Sequence, residues 1–429
     1  MGTGLIIAAP HSGSGKTTIT LGLLRALSRA GHPVRSAKSG PDYIDPRFHE
    51  AASGTPCRTL DAWAMAPERL CALASGPGLL IIEGAMGLFD GAPPDGRGAT
   101  ADLARLLHLP VVLVVDAGRM SHSIAPLVAG FARHDTHVAI RAVILNNVGS
   151  DRHDRMLRAA LAPLGLPILG SVPRTPGLAQ PSRHLGLVQA GEHPDLNAFL
   201  DRAADITAAA IDLDALIAVA APLPTATAPH LPPPAQNIAI ANDTAFAFAY
   251  PHLAEDWRSH GAQITPFSPL ADDPVPPCDL VFLPGGYPEL HAGRLAANAI
   301  FMQSLKIASQ TADIYGECGG YMTLGTGLID ADGQRHAMAG LLPLETSFAN
   351  RRLHLGYRQL TARCGPFPGT WTGHEFHYAT TLSARGTPLF DARDAEGTVL
   401  PAMGLTLGRV SGSFAHLIDR PLPQTPPQA

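Results

Sequence analysis

The sequence alternates short, wholly apolar runs with longer segments of helical character, and this alternation restricts the chain to an α/β fold. In the first half, β-strands are predicted at Gly4–Ala9, Leu79–Ile82, Val111–Val115 and Ala142–Leu145, with a helix over Thr17–Ala30. Strands that are apolar on both faces and separated by helices are typical of a parallel sheet covered on both sides. We therefore predict a doubly wound, mainly parallel sheet, with functional groups at the carboxyl ends of its strands.

A proline-rich segment divides the chain into two such units. Residues 220–236 contain no Asp, Glu, Lys or Arg and show no strand or helix periodicity, which is typical of an extended linker. Short apolar strands recur after it, at Asn237–Ala241, Leu280–Leu283 and Asp313–Tyr315. The 429 residues are thus predicted to form a P-loop domain over 1–219, a linker over 220–236, a second doubly wound domain over 237–421 and a tail over 422–429.

Composition excludes several classes of protein. With 46% hydrophobic and 16% charged residues, the chain is too apolar for intrinsic disorder. Its formal net charge of −5 gives no sign of a nucleic-acid or anionic-membrane partner, and no apolar run approaches the roughly 18 residues of a membrane span. The five cysteines are scattered, which argues against a disulfide framework or zinc site and favours the cytoplasm. We expect small-molecule partners; a homodimer is compatible with the sequence, which does not fix the oligomeric state.

The first predicted strand leads directly into HSGSGKTT, residues 11–18, and then into a helix. Glycines let the backbone curl so that its N–H groups surround phosphate oxygens, while Lys16 reaches the β- and γ-phosphates and Thr17 holds Mg²⁺. The strict motif is broken only at its first position, where Pro10 stands. The residues predicted to bind ATP are Ser12, Gly13, Ser14, Gly15, Lys16, Thr17, Thr18 and Asn146. Asn146 ends a later strand, where its carboxamide could read a purine edge or simply terminate the strand.

Acidic residues at two further strand ends are candidates for the metal and the substrate. Glu83 follows an apolar strand, as expected for a group that positions Mg²⁺ beside a P-loop. The segment KSGPDYIDP provides a loop for a second metal contact or a substrate clamp, although it could also be a solvated turn; its candidate residues are Lys38, Asp42, Tyr43 and Asp45. The predicted Mg²⁺ ligands are Thr17, Asp42 and Glu83.

The segment YGECGGY places Cys318 in a G-x-nucleophile-x-G pattern after a strand. Flanking glycines allow the sharp turn that exposes a nucleophile, and the following helix is expected to lower the thiol pKa. Gly285 and Gly286 in LPGG are predicted to contribute to the oxyanion hole. His416 is the preferred base. His374 and His377 are alternatives, but they flank Glu375 at a spacing that misses the zinc-protease motif by one residue, and they could equally line a pocket or lie in the core.

The two sets of motifs suggest coupled chemistry. A thiolate releases ammonia from the carboxamide of glutamine, ATP converts a carboxylate into an acyl phosphate, and ammonia displaces the phosphate to form an amide. The motifs HSGSGKTT, KSGPDYIDP, EGAMGLFDG, LPGGYPE, YGECGGYMTLG, GHEFHY and SGSFAHL resemble those of the cobyrinic and hydrogenobyrinic acid a,c-diamide synthases of cobalamin biosynthesis.

The resemblance implies a dethiobiotin-synthetase-like P-loop domain joined to a class I glutamine amidotransferase domain. It also implies ATP and glutamine as co-substrates, Mg²⁺ as cofactor and the a and c carboxylates of a corrinoid acid as the sites of amidation. Carried over to this chain, Cys318 is the nucleophile and His416 its partner. Ile418 stands two residues after His416, where the general class has a Glu, so the sequence leaves open what orients the imidazole.

Three alternatives remain at this point. The preference for Arg over Lys hints at a GC-rich genome and favours the metal-free hydrogenobyrinic acid over cobyrinic acid. Relatives that amidate nickel-sirohydrochlorin carry similar motifs. The third alternative is a P-loop ATPase that acts as a switch, as partitioning ATPases do, but such a protein would not need the glycine-flanked turn at Cys318.

Overall fold

A computed structural model describes residues 2–175, 178, 182–183, 186–187, 189–192 and 195–421. The chain forms two compact units, Met1–Ala228 and Pro229–Ala429, and the division falls within the predicted linker. The first part of that segment is not extended linker, because Ala221–Pro222 pairs with the first strand of the first unit. The predicted tail over 422–429 lies outside the described residues.

The first unit is built around a sheet in the order β3-β2-β4-β1-β5-β6-β7, all parallel, with β10 antiparallel to β1. Its strands are β1 Thr3–Ala8, β2 Val34–Ser39, β3 Arg58–Leu60, β4 Leu79–Glu83, β5 Val111–Asp116, β6 Ile140–Val148, β7 Ile168–Pro173 and β10 Ala221–Pro222, with a separate ribbon of β8 Ser182–Arg183 and β9 Gly186–Leu187. Its helices are α1 Lys16–Arg29, α2 Asp45–Ser53, α3 Pro67–Ala74, α4 Thr100–Leu107, α5 Ile124–His134, α6 Asp151–Leu161, α7 Leu196–Ala210 and α8 Leu213–Val219.

Burial explains why the central strands are apolar without alternation. Leu5, Ile6 and Ile7 of β1 are all fully buried, so side chains on both faces of the sheet are covered. Helix α1 packs against this sheet and against α7, with Leu24 and Leu27 in the shared apolar core. The predicted α/β class is confirmed. Sequence placed β1 and α1 within one residue of their observed bounds.

The second unit contains a sheet in the order β12-β11-β13-β14-β24-β23, parallel except for the edge strand β23. Its strands are β11 Asn237–Ala241, β12 Gln263–Phe267, β13 Leu280–Leu283, β14 Asp313–Glu317, β23 Leu405–Leu407 and β24 Val410–Ser413. Its helices are α9 Pro251–Ser259, α10 Ala292–Ala297, α11 Ala299–Ala308 and α12 Gly319–Leu324. The doubly wound core was predicted; two further sheets were not.

The two additional sheets differ in type, and the antiparallel one carries the candidate histidines His374, His377 and His416. An antiparallel sheet has the order β22-β21-β18-β19-β25, and a mixed sheet has the order β16-β15-β17-β20. Their strands are β15 Gly327–Ile329, β16 Arg335–Ala337, β17 Leu344–Ser347, β18 His354–Ala362, β19 Gly369–His377, β20 Thr380–Ala384, β21 Phe390–Arg393, β22 Val399–Met403 and β25 Ala415–Asp419. The chain passes from β24, beside β14, straight into β25, beside β19, and so joins the parallel and antiparallel sheets at one point.

None of the helices in the described part of the chain combines the length and apolar character that a membrane crossing needs.

Candidate active sites

The predicted phosphate loop lies between the end of β1 and the start of α1. Lys16 opens the helix and is nearly buried, and its Nζ donates a hydrogen bond to the carbonyl of Met86 at 2.6 Å. Burial lowers the pKa of Lys16, with Glu83 acting against that effect. The ammonium is therefore held at the loop by a neutral carbonyl, which a phosphate oxygen can replace.

Asn146 supports this loop from the neighbouring strand β6. Its Nδ2 donates to the carbonyl of Ser14 at 2.9 Å, and a Cβ on Gly15 would lie only 2.2 Å from the same nitrogen. The side-chain N–H of Asn146 thus donates to the backbone of the phosphate loop. In this structure the carboxamide supports the loop, which differs from the expectation that it reads a purine edge.

A buried cluster of charges lies beneath the loop. The Nζ of Lys38 is 2.7 Å from Asp45 Oδ2 and 2.8 Å from Glu83 Oε1. Burial opposes the charge of Lys38, but the two carboxylates outweigh it and raise the pKa of the ammonium. Burial likewise opposes ionisation of Glu83, but Lys38 and His49 hold its pKa well below the usual range. The cluster is therefore charged at neutral pH.

The same cluster offers oxygen donors that fit Mg²⁺. The Thr17 hydroxyl donates to Glu83 Oε1 at 2.6 Å and lies 3.5 Å from Asp45 Oδ2. Asp45 Oδ1 is buried and has no hydrogen-bond partner, so it is free to coordinate a cation. One hydroxyl and two carboxylates are the hard ligands that Mg²⁺ prefers. The observed geometry thus favours Asp45, alongside Thr17 and Glu83, as a ligand.

Asp42, which was predicted as a metal ligand, has a different environment. Its Oδ1 accepts hydrogen bonds from the backbone N–H groups of Ile44 and Asp45, and its Oδ2 lies 3.9 Å from Lys38 Nζ. Burial, and then the charge of Asp45, raise the pKa of Asp42 to about 6. Asp42 therefore caps the turn that carries Asp45, and Tyr43 between them is buried.

His49 was not identified from the sequence. It lies on α2, is fully buried, and places Nε2 2.6 Å from Glu83 Oε2. Burial opposes a charged ring, but Cys57 and Glu83 outweigh it and raise the pKa of His49 to about 10. His49 therefore anchors the second oxygen of Glu83. No motif indicated this, because the contact depends on how α2 packs against α1 and β2.

The second site is the turn at Cys318 between β14 and α12. Cys318 has φ +46°, a value that a residue with a side chain rarely adopts, and its N–H donates to the Ser413 carbonyl at 2.8 Å. A Cβ on Gly320 would lie 2.0 Å from the carbonyl oxygen of Leu283. The tight turn predicted for a nucleophile is present, and at least one flanking glycine is required by close approach of a neighbouring strand.

Three predicted residues converge at this turn. A Cβ built on Gly285 would meet His416 Cε1 at 2.2 Å, His416 Nε2 at 2.9 Å and the Cβ of Cys318 at 3.3 Å. The Cε1–Nε2 edge of the imidazole thus faces the cysteine across a glycine. The amide nitrogen of Gly286 lies 3.0 Å from the Cβ position of Gly319, the residue after Cys318. The predicted oxyanion glycines therefore border the elbow.

Electrostatics at this turn differ from the expectation of an activated thiol. Burial, and then the charge of Glu289, raise the pKa of Cys318, and the Gly319 N–H only partly opposes this. Helix α12 has six residues, so its dipole is small. Burial, and then His374 and His377, lower the pKa of His416 to about 3. Thiol and imidazole are thus both neutral at rest, and thiolate forms only if its proton passes to a base.

His374 and His377 lie on β19, beside the strand of His416. The His377 ring is stacked between His354, at 4.6 Å, and Phe414, at 3.9 Å. His354, Glu375 and His377 offer three ligand atoms within 4.8 Å of one another. However, the two imidazoles are parallel within 5°, so their in-plane lone pairs cannot meet at one ion. Arg358 also donates two hydrogen bonds to Glu375. Glu375, His354 and His377 therefore form a packed polar cluster beside His416, and their arrangement does not suit a metal ion.

Comparisons with known proteins assign a family to a segment of each unit. Residues 5–188 match the family model described as "CobQ/CobB/MinD/ParA nucleotide binding domain". Residues 237–421 match the one described as "CobB/CobQ-like glutamine amidotransferase domain". The chain is a glutamine-dependent, amide-forming ligase with a nucleotide-binding domain.

Curated relatives narrow this class. Proteins named hydrogenobyrinate a,c-diamide synthase from Brucella abortus, Rhizobium meliloti and Rhodobacter capsulatus are 56%, 55% and 53% identical to this chain. Each alignment covers 97% of this chain and 98–99% of the relative. The chain belongs to the hydrogenobyrinate a,c-diamide synthase family, and the family resemblance inferred from the sequence is confirmed.

Proposed function

We propose that this chain uses ATP and glutamine to amidate the a and c carboxylates of hydrogenobyrinic acid. One observation carries the proposal: a single chain holds a phosphate loop with a buried Lys16 and a Cys318 turn that faces the imidazole of His416. The names of relatives at 53–56% identity support the metal-free corrinoid as the substrate.

In the glutamine reaction, the sulfur of Cys318 attacks the carboxamide carbon while His416 Nε2 takes the thiol proton. The tetrahedral oxyanion accepts hydrogen bonds from backbone amides at Gly286 and Gly319. His416 then returns the proton to the leaving nitrogen, so ammonia departs and a thioester remains. Water hydrolyses the thioester to glutamate and restores the thiol. Since both groups are neutral at rest, bond formation and proton transfer are coupled.

In the ATP reaction, Lys16 leaves the Met86 carbonyl and contacts the phosphates. A carboxylate oxygen of the corrinoid attacks the γ-phosphorus, and ADP leaves. Ammonia then attacks the carbonyl carbon of the acyl phosphate, and inorganic phosphate departs with the amide formed. Thr17, Asp45 and Glu83 would hold Mg²⁺, which when bound neutralises phosphate charge. Lys38 lies within reach of both carboxylates and, although burial acts in the opposite direction, lowers the pKa of Glu83.

The test uses the full chain with ATP, Mg²⁺ and either glutamine or ammonium chloride. Mass spectrometry counts the amides formed on hydrogenobyrinic acid and, in parallel, on cobyrinic acid and nickel-sirohydrochlorin. Cys318→Ser should abolish amidation from glutamine but retain it from ammonia, whereas Lys16→Ala should lose both. Two amides on the metal-free acid support the proposal. ATP hydrolysis without amide formation on any ring would favour the switch alternative instead.

A further inference from the structure

The residue that precedes the nucleophile reaches the catalytic imidazole. Glu317 ends β14 and is almost completely buried. Its Oε1 accepts a hydrogen bond from the backbone N–H of Leu417 at 3.0 Å, and its Oε2 lies 3.6 Å from Nδ1 of His416. One carboxylate therefore lies against two consecutive residues of β25 and faces Nδ1, whereas the other nitrogen, Nε2, belongs to the edge that borders Gly285.

The position two residues after His416 provides no acid. Ile418 is fully buried, and its carbonyl accepts a hydrogen bond from His252. The other ionisable groups that influence His416 are His374 and His377, which disfavour an imidazolium, and the backbone of Phe248 also faces the ring. Glu317, by contrast, brings a carboxylate to Nδ1 of His416.

We propose that Glu317 is a positioning residue, which holds the His416 ring as the Nδ1–H tautomer, so that Nε2 is the nitrogen that takes the thiol proton. The inference rests on the proposed glutaminase reaction. In that reaction the Cys318 S–H bond breaks, the proton joins Nε2, and the resulting imidazolium lies beside the Glu317 carboxylate.

The Nδ1–H tautomer requires Glu317 as a carboxylate, because a protonated Glu317 would donate to Nδ1 instead. Burial raises the pKa of Glu317 to about 8 and lowers that of His416 to about 3, so the carboxylate becomes the main form as pH rises through about 8, where both readouts below are taken. Each group alone resists ionisation, but a carboxylate and an imidazolium at this distance stabilise each other. The ion pair is therefore most favourable when His416 takes the thiol proton.

A glutamine at position 317 gives a sharp test because of the Leu417 contact. The amide oxygen of Gln would keep the hydrogen bond from Leu417 N–H, so its NH₂ would face Nδ1. An NH₂ group only donates, so Nδ1 must accept and the proton moves to Nε2. The ring then cannot take a proton from Cys318. Loss of a general base typically costs about 10²–10⁴-fold.

The experiment compares Glu317→Gln, Glu317→Asp and the matched control Glu345→Gln, whose side chain pairs with Arg335 elsewhere in the same unit. We expect Glu317→Gln to lower the kcat of glutamine hydrolysis by about 100-fold or more, with KM within about threefold. Glu317→Asp, which keeps the charge, should be intermediate. Amidation from ammonia should be unchanged in all three variants, which verifies folding.

A second readout is independent of turnover. Nitrogen-15 NMR of histidine-labelled protein, assigned with His416→Asn, should show the Nδ1–H tautomer in the wild type and the Nε2–H tautomer in Glu317→Gln. Equal kcat in Glu317→Gln and Glu345→Gln, or an unchanged tautomer, would overturn the inference and assign ring orientation to the Phe248 backbone. If the wild type does not hydrolyse glutamine, the proposed function fails while the tautomer still tests Glu317.

Discussion

Adding one methyl group at Gly285 should displace the imidazole of His416, the base in the proposed glutamine reaction. Gly285 has ordinary backbone angles, so alanine fits the main chain, but its Cβ would lie 2.2 Å from His416 Cε1. An ordinary contact begins near 3.4 Å, so the ring must retreat by about 1 Å. A displacement of about 1 Å in a catalytic group can cost about 100-fold in rate, or about 2.7 kcal/mol of transition-state stabilisation.

The assay is glutamate release from glutamine, with amidation from ammonia measured in parallel. We expect Gly285→Ala to lose about 100-fold in kcat for glutamine hydrolysis and to keep the ammonia reaction. Gly293→Ala is the matched control, because Gly293 lies in α10 and its added Cβ would make only an ordinary 3.5 Å contact with His336. If Gly285→Ala retains glutaminase within about threefold while His416→Ala loses it, the imidazole does not act from the observed position.

Two further predictions concern the buried charges under the phosphate loop. Lys38→Met should destabilise the chain by about 3–5 kcal/mol in urea denaturation, because Asp45 and Glu83 lose their shared cation, whereas Lys306→Met, at an exposed position of α11, should have little effect. An equal effect of both substitutions would contradict this. Glu83→Gln should change how the free energy of unfolding depends on pH in acid. Although burial acts in the opposite direction, Lys38 and His49 lower the pKa of Glu83, so the stability it contributes is complete above the ordinary carboxyl pKa of about 4.5 and is lost as pH falls through the lower folded value. The difference in unfolding free energy between wild type and Glu83→Gln should therefore shrink below pH 4.5; a constant difference would refute it.

Some features followed from local sequence alone. The order strand, glycine loop, Lys16, Thr17 and helix was predictable because each step depends on neighbouring residues: apolar runs form buried strands, and glycines permit the loop. The turn at Cys318 was predictable for the same reason, because side chains larger than glycine at the flanking positions would clash with neighbouring backbone. The α/β class and the family were likewise readable from these segments.

The local pattern of apolar residues did not predict the full length of β14, because a glycine interrupts this strand. The strand before Cys318 was predicted to end at Tyr315, since Gly316 weakens strand periodicity, yet β14 continues to Glu317. That extension brings Glu317 to the imidazole of His416. The pKa of Cys318 was also misjudged, because burial outweighs the short following helix.

The remaining parts of both sites depended on the tertiary structure. His416 reaches Gly285 and Cys318 only because β24 pairs with β14 and the next strand, β25, pairs with β19. His49 reaches Glu83 only through the packing of α2. Sequence thus determined which chemical groups are present and which turns display them. Strand register between segments remote in the chain decided which groups meet, because hydrogen bonding between strands, and not local preference, sets those distances.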